Sequence, residues 1–225
     1  MKFKKKVIKA VVFDVSGVLQ LGTPNSKLKQ RHLGVHEYLA KKFNLDLDSW
    51  FDSIDTPYSN SIEGKISEKQ AIKTISKNLN TNQKKLEKIF IKAYKKFFRK
   101  NKILYDFAYK LKKKSYVIGI LSDQWHLSKK VLTPKKDTKI FNIVIISCDV
   151  GLRKPNPEIY KLLIKKVKTK KKEIKNKSHK IKNKEILFID NREWNLTPAK
   201  KLGMKAILFK NNKQFFKEFK KLTKN

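Results

Sequence analysis

The chain of 225 residues carries 56 basic residues against 19 acidic ones, which gives a formal net charge of +37 and an isoelectric point near 10.2. Its length suits one medium domain or a core with one insertion, and its single cysteine excludes an internal disulfide. No stretch approaches the roughly 18 apolar residues of a membrane-spanning helix, and no cleavage site follows the basic start, so we expect a soluble, cytoplasmic protein without a signal peptide.

The excess of positive charge has two interpretations. It suits a protein that binds nucleic acid or another polyanion by electrostatic attraction. However, the basic residues are nearly all lysines and glycines are few, a usage that is typical of an AT-rich genome. The sequence leaves both interpretations open. The only arginines are Arg31, Arg99, Arg153 and Arg192.

The first predicted element is a strand of β-branched and aromatic residues that ends at Asp14 and is followed by a turn at Gly17. Helical periodicity then extends to about residue 101. Ser67 and Gln70 form a capping box at the start of one helix, and Thr81 is predicted to cap the next one. The predicted division is a core domain, 1–19 with 102–225, and an inserted all-helical cap, 20–101.

After the insertion, strands alternate with helices. Predicted strands end at Ser122, Ser147 and Asp190, and a last strand covers 205–209. This alternation predicts an α/β fold with a doubly wound parallel sheet. The lysine-rich stretch that begins at Lys168 and ends at Lys184 is predicted to be an exposed and mobile loop.

Four polar side chains lie at or just beyond the carboxyl ends of predicted strands. Ligands of open parallel sheets bind outside these ends, so the four meet in one crevice if their strands are neighbours. Two carboxylates suit Mg²⁺ together with phosphate oxygens, and a hydroxyl and an ammonium suit the remaining phosphate oxygens. Each residue by itself is equally compatible with a helix cap or a turn. The four are Asp14, Ser122, Lys154 and Asp190.

The motifs around these residues resemble those of the haloacid dehalogenase superfamily of phosphohydrolases, over nearly the whole chain. The helical insertion resembles the cap of the subgroup that contains small sugar-phosphate phosphatases and the N-terminal domains of epoxide hydrolases. The resemblance implies a Rossmann-like core, a helical cap and hydrolase activity. The four motifs cover residues 14–19, 121–123, 151–160 and 188–191.

The resemblance also implies a mechanism and a role for each residue. The protein would be a Mg²⁺-dependent phosphatase of a small phosphorylated metabolite that forms an aspartyl-phosphate on Asp14. Asp14, Asp190 and the backbone carbonyl of Ser16 would hold the metal. Ser122 and Lys154 would bind the oxygens of the transferring phosphate.

Two more residues are expected next to those that would bind the metal and the phosphate. Asp123 replaces a common asparagine of the family and is either an additional acid or a helix cap. Asn191 stands where the family often has a second acid, and its amide could hold a metal-bound water.

The main departure from the family is Ser16, where the usual residue is an aspartate that protonates the leaving group and later activates water. A hydroxyl is a poor acid and a poor base near neutrality, so its presence could reduce the rate by about 10² to 10⁴. Some members that resemble this subgroup have glycine there. Three interpretations remain: a phosphatase, a slow phosphotransferase or degenerate relative, and a dehalogenase, which needs no metal.

The alternative to an enzyme is a binding protein whose lysines hold a polyanion. The stretch 168–184 contains no aromatic residue that could stack on bases, so we expect weak and non-specific nucleic acid binding there. We expect no membrane partner.

Three other side chains receive packing or surface roles: Trp125 packs beside the second motif, Trp194 packs behind the fourth, and His36 lies on a helix surface.

Overall fold

The structure is a computed structural model that describes residues 8–22, 33–175 and 181–223. None of the helices in these ranges is both long and apolar enough to cross a membrane. The strands are β1 Ala10–Phe13, β2 Gln20–Gly22, β3 Phe98–Lys100, β4 Val117–Ser122, β5 Ile143–Ile146, β6 Ile186–Asp190 and β7 Lys205–Leu208. The helices are α1 Leu33–Lys42, α2 Leu47–Ile62, α3 Glu68–Asn78, α4 Gln83–Phe97, α5 Lys102–Lys113, α6 His126–Leu132, α7 Lys135–Thr138, α8 Ser147–Val150, α9 Pro157–Lys175, α10 Glu193–Lys201 and α11 Asn212–Thr223, with a 3₁₀ turn at Asn183–Glu185.

Five strands form one parallel sheet in the order β5-β4-β1-β6-β7. The strand β1 lies at its centre and its residues are buried on both faces, which explains its continuous apolar sequence. Val11 and Phe13 belong to one hydrophobic cluster, and Ala10 and Val12 belong to the other. The predicted doubly wound α/β fold is confirmed.

Helices cover both faces of this sheet. Leu104 of α5 and Phe215 of α11 pack in the cluster on one face. Ile159 and Leu163 of α9, with Leu196 of α10, pack in the cluster on the other face. Crossover helices on both sides of a parallel sheet leave the carboxyl ends of the strands as the open edge.

The helices α1 to α4 form the insertion between β1 and β4. Trp50 and Phe90 are fully buried there, with ring centroids 5.9 Å apart, and they belong to the same cluster as the first face of the sheet. Where the chain enters and leaves the insertion, β2 and β3 pair antiparallel, with Gln20 opposite Lys100. The four helices agree with the predicted cap; the residue bounds of the two domains stay a prediction.

Two local predictions are wrong. The stretch 168–184 is not a single loop, because α9 continues to Lys175 and a 3₁₀ turn begins at Asn183; residues 176–180 lie outside the described residues. Lysine is a good helix former, and the buried stripe of α9 includes Ile164 and Val167, which support the helix beyond the first lysines. The cap of α4 is Asn82 rather than Thr81, since its side chain accepts from the N–H of Lys84 at 2.8 Å.

Candidate active site

The carboxylates of Asp14 and Asp190 lie at the ends of adjacent strands. The N–H of Asp14 donates to the carbonyl of Ile189 at 2.8 Å, so the pairing of β1 with β6 continues one residue beyond β1. Both acids are buried, with 6% of Asp14 and 0% of Asp190 exposed. The sheet therefore brings together two carboxylates that are far apart in the sequence, as the sequence predicted.

Lys154 lies between these two acids. Its Nζ is 2.6 Å from Asp190 Oδ2 and 3.0 Å from Asp14 Oδ1. The N–H of Lys154 donates to Asp123 Oδ1 at 3.0 Å, which ties the loop after α8 to the loop after β4. Burial opposes the charge on the ammonium, but the attraction of Asp14 and Asp190 outweighs it and raises the pKa of Lys154. The side chain is therefore a cation at neutral pH.

The protonation of Asp14 depends on the same neighbours. Burial raises the pKa of Asp14 to about 6; the charge of Lys154 opposes this rise, and the charge of Asp190 adds to it. At neutral pH Asp14 is ionised in most molecules, and the ionised carboxylate is the form that acts as a nucleophile.

A tight turn follows Asp14 and presents Ser16. The N–H of Gln20 donates to the carbonyl of Val15 at 2.8 Å, and the N–H of Gly17 donates to the carbonyl of Gln20 at 2.7 Å. Gly17 has φ of +86°, a conformation that residues with a side chain rarely adopt. A Cβ on Gly17 would lie 2.4 Å from Asn191 Nδ2, so the turn packs directly against that amide.

We expect Gly17→Ala to lower the free energy of unfolding by about 1–3 kcal/mol, because alanine is strained at this positive φ. Stability should fall further because Asn191 must move to make room for the new Cβ. Gly203→Ala is the matched control: its φ is +79°, but its Cβ would meet no atom nearer than 3.7 Å. Urea denaturation of both variants measures the difference. Equal losses in the two variants would contradict the close contact between Gly17 and Asn191.

Ser122 lies at the carboxyl end of β4, as predicted, but deeper than the sequence suggested. It is fully buried, it does not line the cavity between the core and the insertion, and within the described residues its hydroxyl has no hydrogen-bond partner. A buried hydroxyl without a partner is uncommon. Its predicted contact with phosphate stays a prediction.

The donors at this edge of the sheet fit Mg²⁺. In residues 8–22, 33–175 and 181–223, no three histidine, cysteine or carboxylate side chains are placed to hold a metal by themselves. Mg²⁺ does not need such a cage, because it takes one or two carboxylates and completes its shell with water and phosphate oxygens. Asp14 and Asp190 supply the two carboxylates. Asn191 Oδ1 is buried and has no partner among the described residues, so it can accept from a metal-bound water.

A cavity of about 350 Å³ lies between the core and the insertion. Asp14 and Ser16 line it on the side of the core. Asn195, which also lines it, donates from Nδ2 to both carboxylate oxygens of Asp190, at 3.2 and 3.1 Å, and so fixes the orientation of this acid. The other polar or aromatic residues of the wall include His36, Tyr58, Tyr94, Asp123, Arg153, Lys154, Arg192 and Trp194.

Two of these positions differ from the sequence-based expectation. Trp194 does not pack behind the fourth motif: it is 58% exposed and lines the cavity, because the buried face of α10 is formed by residues after it. His36 is half-buried rather than on a helix surface, and its Nδ1 accepts from Trp50 Nε1 at 3.1 Å. Since an indole N–H can only donate, Nδ1 of His36 carries no proton there. Trp125 is fully buried, as predicted.

Arg153 and Arg192 were not expected in the wall from the sequence. Two of the four arginines in a lysine-rich chain line one cavity. Arginine binds carboxylate and phosphate through a planar, bidentate guanidinium that lysine cannot replace. Because arginine is scarce in this chain, its four arginines could have been singled out from the composition as candidate anion-binding residues.

Known proteins resemble this chain in sequence and in fold. The chain is 29% identical over 128 residues to bifunctional epoxide hydrolase 2 of Rattus norvegicus, a match that covers 55% of this chain and 21% of that protein. It therefore spans about a fifth of the length of this curated relative. The HAD family enzyme BT-2542 of Bacteroides thetaiotaomicron is 21% identical, with a TM-score of 0.70 over 94% of this chain and 98% of its own.

A more distant fold relative is the L-2-haloacid dehalogenase of Xanthobacter autotrophicus, 16% identical, with a TM-score of 0.53 over 88% of this chain and 76% of its own. BT-2542 has also been crystallised in complex with magnesium and inorganic phosphate. The sequence model of haloacid dehalogenase-like hydrolases matches residues 8–203. This chain belongs to the haloacid dehalogenase-like hydrolase family.

Proposed function

We propose that the protein is a Mg²⁺-dependent phosphatase that hydrolyses a small phosphorylated metabolite through an aspartyl-phosphate on Asp14. The observation that carries the proposal is the contact of one ammonium, Lys154 Nζ, with both Asp14 and Asp190 at the open edge of the sheet. The fold relative that binds magnesium and inorganic phosphate supports it.

The reaction divides into two displacements at phosphorus. Asp14 attacks the phosphorus, the bond to the leaving oxygen breaks, and that oxygen takes the electron pair and a proton. Water then attacks the aspartyl-phosphate, releases inorganic phosphate and restores the carboxylate. Bound Mg²⁺, held by Asp14, Asp190 and the carbonyl of Ser16, would supply positive charge that reduces the repulsion between the two anions.

Lys154 and Ser122 are proposed to stabilise the transferring phosphate. Lys154 stays protonated in contact with Asp14, so its charge is in place before the reaction begins. Ser122 can donate its hydroxyl from the end of β4, where no other partner occupies it within the described residues.

Ser16 is a poor donor of the proton for the leaving group, and we propose Asp123 as a less efficient substitute for the aspartate that the family usually has at position 16. It lines the cavity, and burial raises its pKa, which favours the protonated form. Glu63, which follows the wall residue Ile62, is a poorer donor. The ion pairs with Lys65, at 2.6 Å, and Arg153, at 3.5 Å, lower the pKa of Glu63 and keep it ionised.

A screen of phosphorylated metabolites with and without Mg²⁺ tests the proposed function. We expect release of inorganic phosphate from at least one small phosphate monoester, and we expect chelation of the metal to stop it. Halide release from a 2-haloacid without metal would support the dehalogenase instead. No reaction with any substrate would favour a degenerate relative that only binds polyanions.

We also propose weak, non-specific binding of nucleic acid through the lysines from Lys168 to Lys184. The structure places the first of them on α9, whose exposed side also carries Lys165 and Lys166. Binding to a random oligonucleotide should fall steeply with salt because it releases counterions. Replacing Lys168 and Lys170 by glutamine should make the slope of log affinity against log salt less steep by about one for each phosphate that the protein no longer neutralises. Fluorescence anisotropy at several salt concentrations measures this, and a salt-resistant complex with one defined RNA would contradict it.

A further inference from the structure

A buried hydrogen bond joins the core to the cavity wall. Trp125 Nε1 donates to the hydroxyl of Tyr94 at 2.7 Å, and Tyr94 lines the cavity. An indole N–H can only donate, so the hydroxyl of Tyr94 is the acceptor. Tyr58 packs beside this pair, with its ring centroid 5.2 Å from that of Trp125, and it also lines the cavity.

Arg153 and Arg192 line the same cavity as Tyr58. The positive charges of Arg153 and Arg192 act on Tyr58 and lower its pKa against a larger rise caused by burial. The main charges that act on Asp14 are different, namely those of Lys154 and Asp190. The two arginines therefore add positive charge to the cavity besides the ammonium of Lys154 that contacts Asp14.

The arginines are only partly engaged with other groups. Arg192 takes part in none of the ion pairs found among the described residues, and its guanidinium lies 5.2 Å from the ring centroid of Trp194. Arg153 Nη1 lies 3.5 Å from Glu63 Oε1, a loose contact at a partly exposed pair. The acid of the same wall, Asp123, accepts from the N–H of Lys154 through Oδ1.

We propose that Tyr58, Arg153 and Arg192 form a second anion-binding subsite, so that the substrate is a phosphate monoester with a second anionic group, a carboxylate or another phosphate. The inference rests on the proposed phosphatase function. All three residues line the cavity and carry hydrogen-bond donors, and guanidinium groups pair with carboxylate or phosphate through two parallel hydrogen bonds. One anionic group of the substrate is placed at Asp14, and the other is held by the subsite.

Matched substrates test the subsite. Glycerol 3-phosphate and 3-phosphoglycerate differ only in the replacement of a hydroxymethyl group by a carboxylate, and fructose 6-phosphate and fructose 1,6-bisphosphate differ by one phosphate. We expect kcat/KM to be roughly 10- to 100-fold higher for the substrate with the second anion in at least one pair, the range of one or two charge-assisted hydrogen bonds. A preference within the glycerol pair would indicate a substrate with a carboxylate, and a preference within the fructose pair would indicate a bisphosphate.

Variants assign the preference to the subsite. Arg192→Gln should remove most of it, mainly through KM, and Arg192→Lys should restore part of it, since a lysine keeps the charge but loses the bidentate geometry. Tyr58→Phe should reduce the preference less, because it removes one neutral donor. Arg99→Gln is the matched control: it loses the same charge at an exposed residue of β3 that does not line the cavity, and it should keep the preference.

The outcomes separate the subsite from the phosphatase. Hydrolysis without any preference for the second anion, or an Arg192→Gln variant that slows both members of each pair equally, would overturn the subsite and leave the phosphatase in place. If no ester were hydrolysed, the phosphatase would fail. The subsite would then be tested by calorimetric binding to the wild-type protein, where equal affinity for glycerol 3-phosphate and 3-phosphoglycerate would overturn it.

Discussion

Replacing Asp14 with asparagine is expected to reduce kcat by roughly 10⁴-fold or more while the fold survives, because the change removes the nucleophile that has no substitute in the cavity wall. Asparagine keeps the size of the side chain but loses its charge. Lys154 retains its contact with Asp190, at 2.6 Å, so the buried ammonium keeps a partner. Phosphate release on the best substrate of the screen, together with thermal unfolding, measures both parts.

Asp106→Asn is the matched control for this variant. Asp106 lies exposed on α5 and outside the cavity wall, so the same chemical change there should leave kcat and the unfolding temperature unaltered. If Asp14→Asn hydrolysed the substrate at the rate of the parent, the end of β1 would not carry the nucleophile. If Asp14→Asn unfolded, kcat of Asp14→Glu, which keeps the charge but moves the carboxylate, would test the same role.

Ser16→Asp is expected to raise hydrolysis at least about tenfold, because general acid–base groups contribute about 10² to 10⁴ to such reactions. Ser16 lines the same cavity as Asp14, two residues further along the turn. The new carboxyl group would protonate the leaving oxygen, and the carboxylate that results would then activate water for the second step. Substrates with poor leaving groups should gain most, since their departure requires the proton. Steady-state rates on a poor and a good leaving group measure the effect.

Ser16→Asn is the control for size and polarity, and it should not raise the rate. A high rate in the wild-type protein that falls in Ser16→Asp would show that Asp123 or another group already provides the proton efficiently. In either case, Asp123→Asn should slow the poor leaving group more than the good one. Slow breakdown of the aspartyl-phosphate in the wild-type protein would instead mark Ser16 as the limit on turnover.

The core of the fold could be predicted because its signals are local. The strand before Asp14 is apolar at every position, which is required of a strand that is buried on both faces. The capping box of Ser67 and Gln70 is present at the start of α3, as predicted. The ribbon of β2 and β3 could not be predicted in this way, since each strand has three residues and forms only by pairing with a partner far away in the sequence.

The candidate site also has a part that the sequence predicts and a part that it does not. Asp14, Lys154 and Asp190 converge because parallel strands carry their carboxyl ends to one edge, a rule that applies without coordinates. The wall of the cavity depends instead on how the insertion packs over that edge. Nothing local in the sequence relates Tyr58 to Tyr94, and periodicity alone could not tell which side of α10 Trp194 would occupy.

Covalent catalysis by Asp14 is tested most sharply by intact-protein and peptide mass spectrometry after rapid acid quenching of the wild-type protein with Mg²⁺ and its best substrate. The aspartyl-phosphate mechanism predicts a mass increase of one phosphoryl group on the peptide that contains Asp14, formed during the first turnover and absent from Asp14→Asn. Because Ser16 is a poor base, the adduct should persist longer than in Ser16→Asp. Phosphate release at a steady rate with no adduct on this peptide at any quench time, or an adduct that remains in Asp14→Asn, would contradict the mechanism.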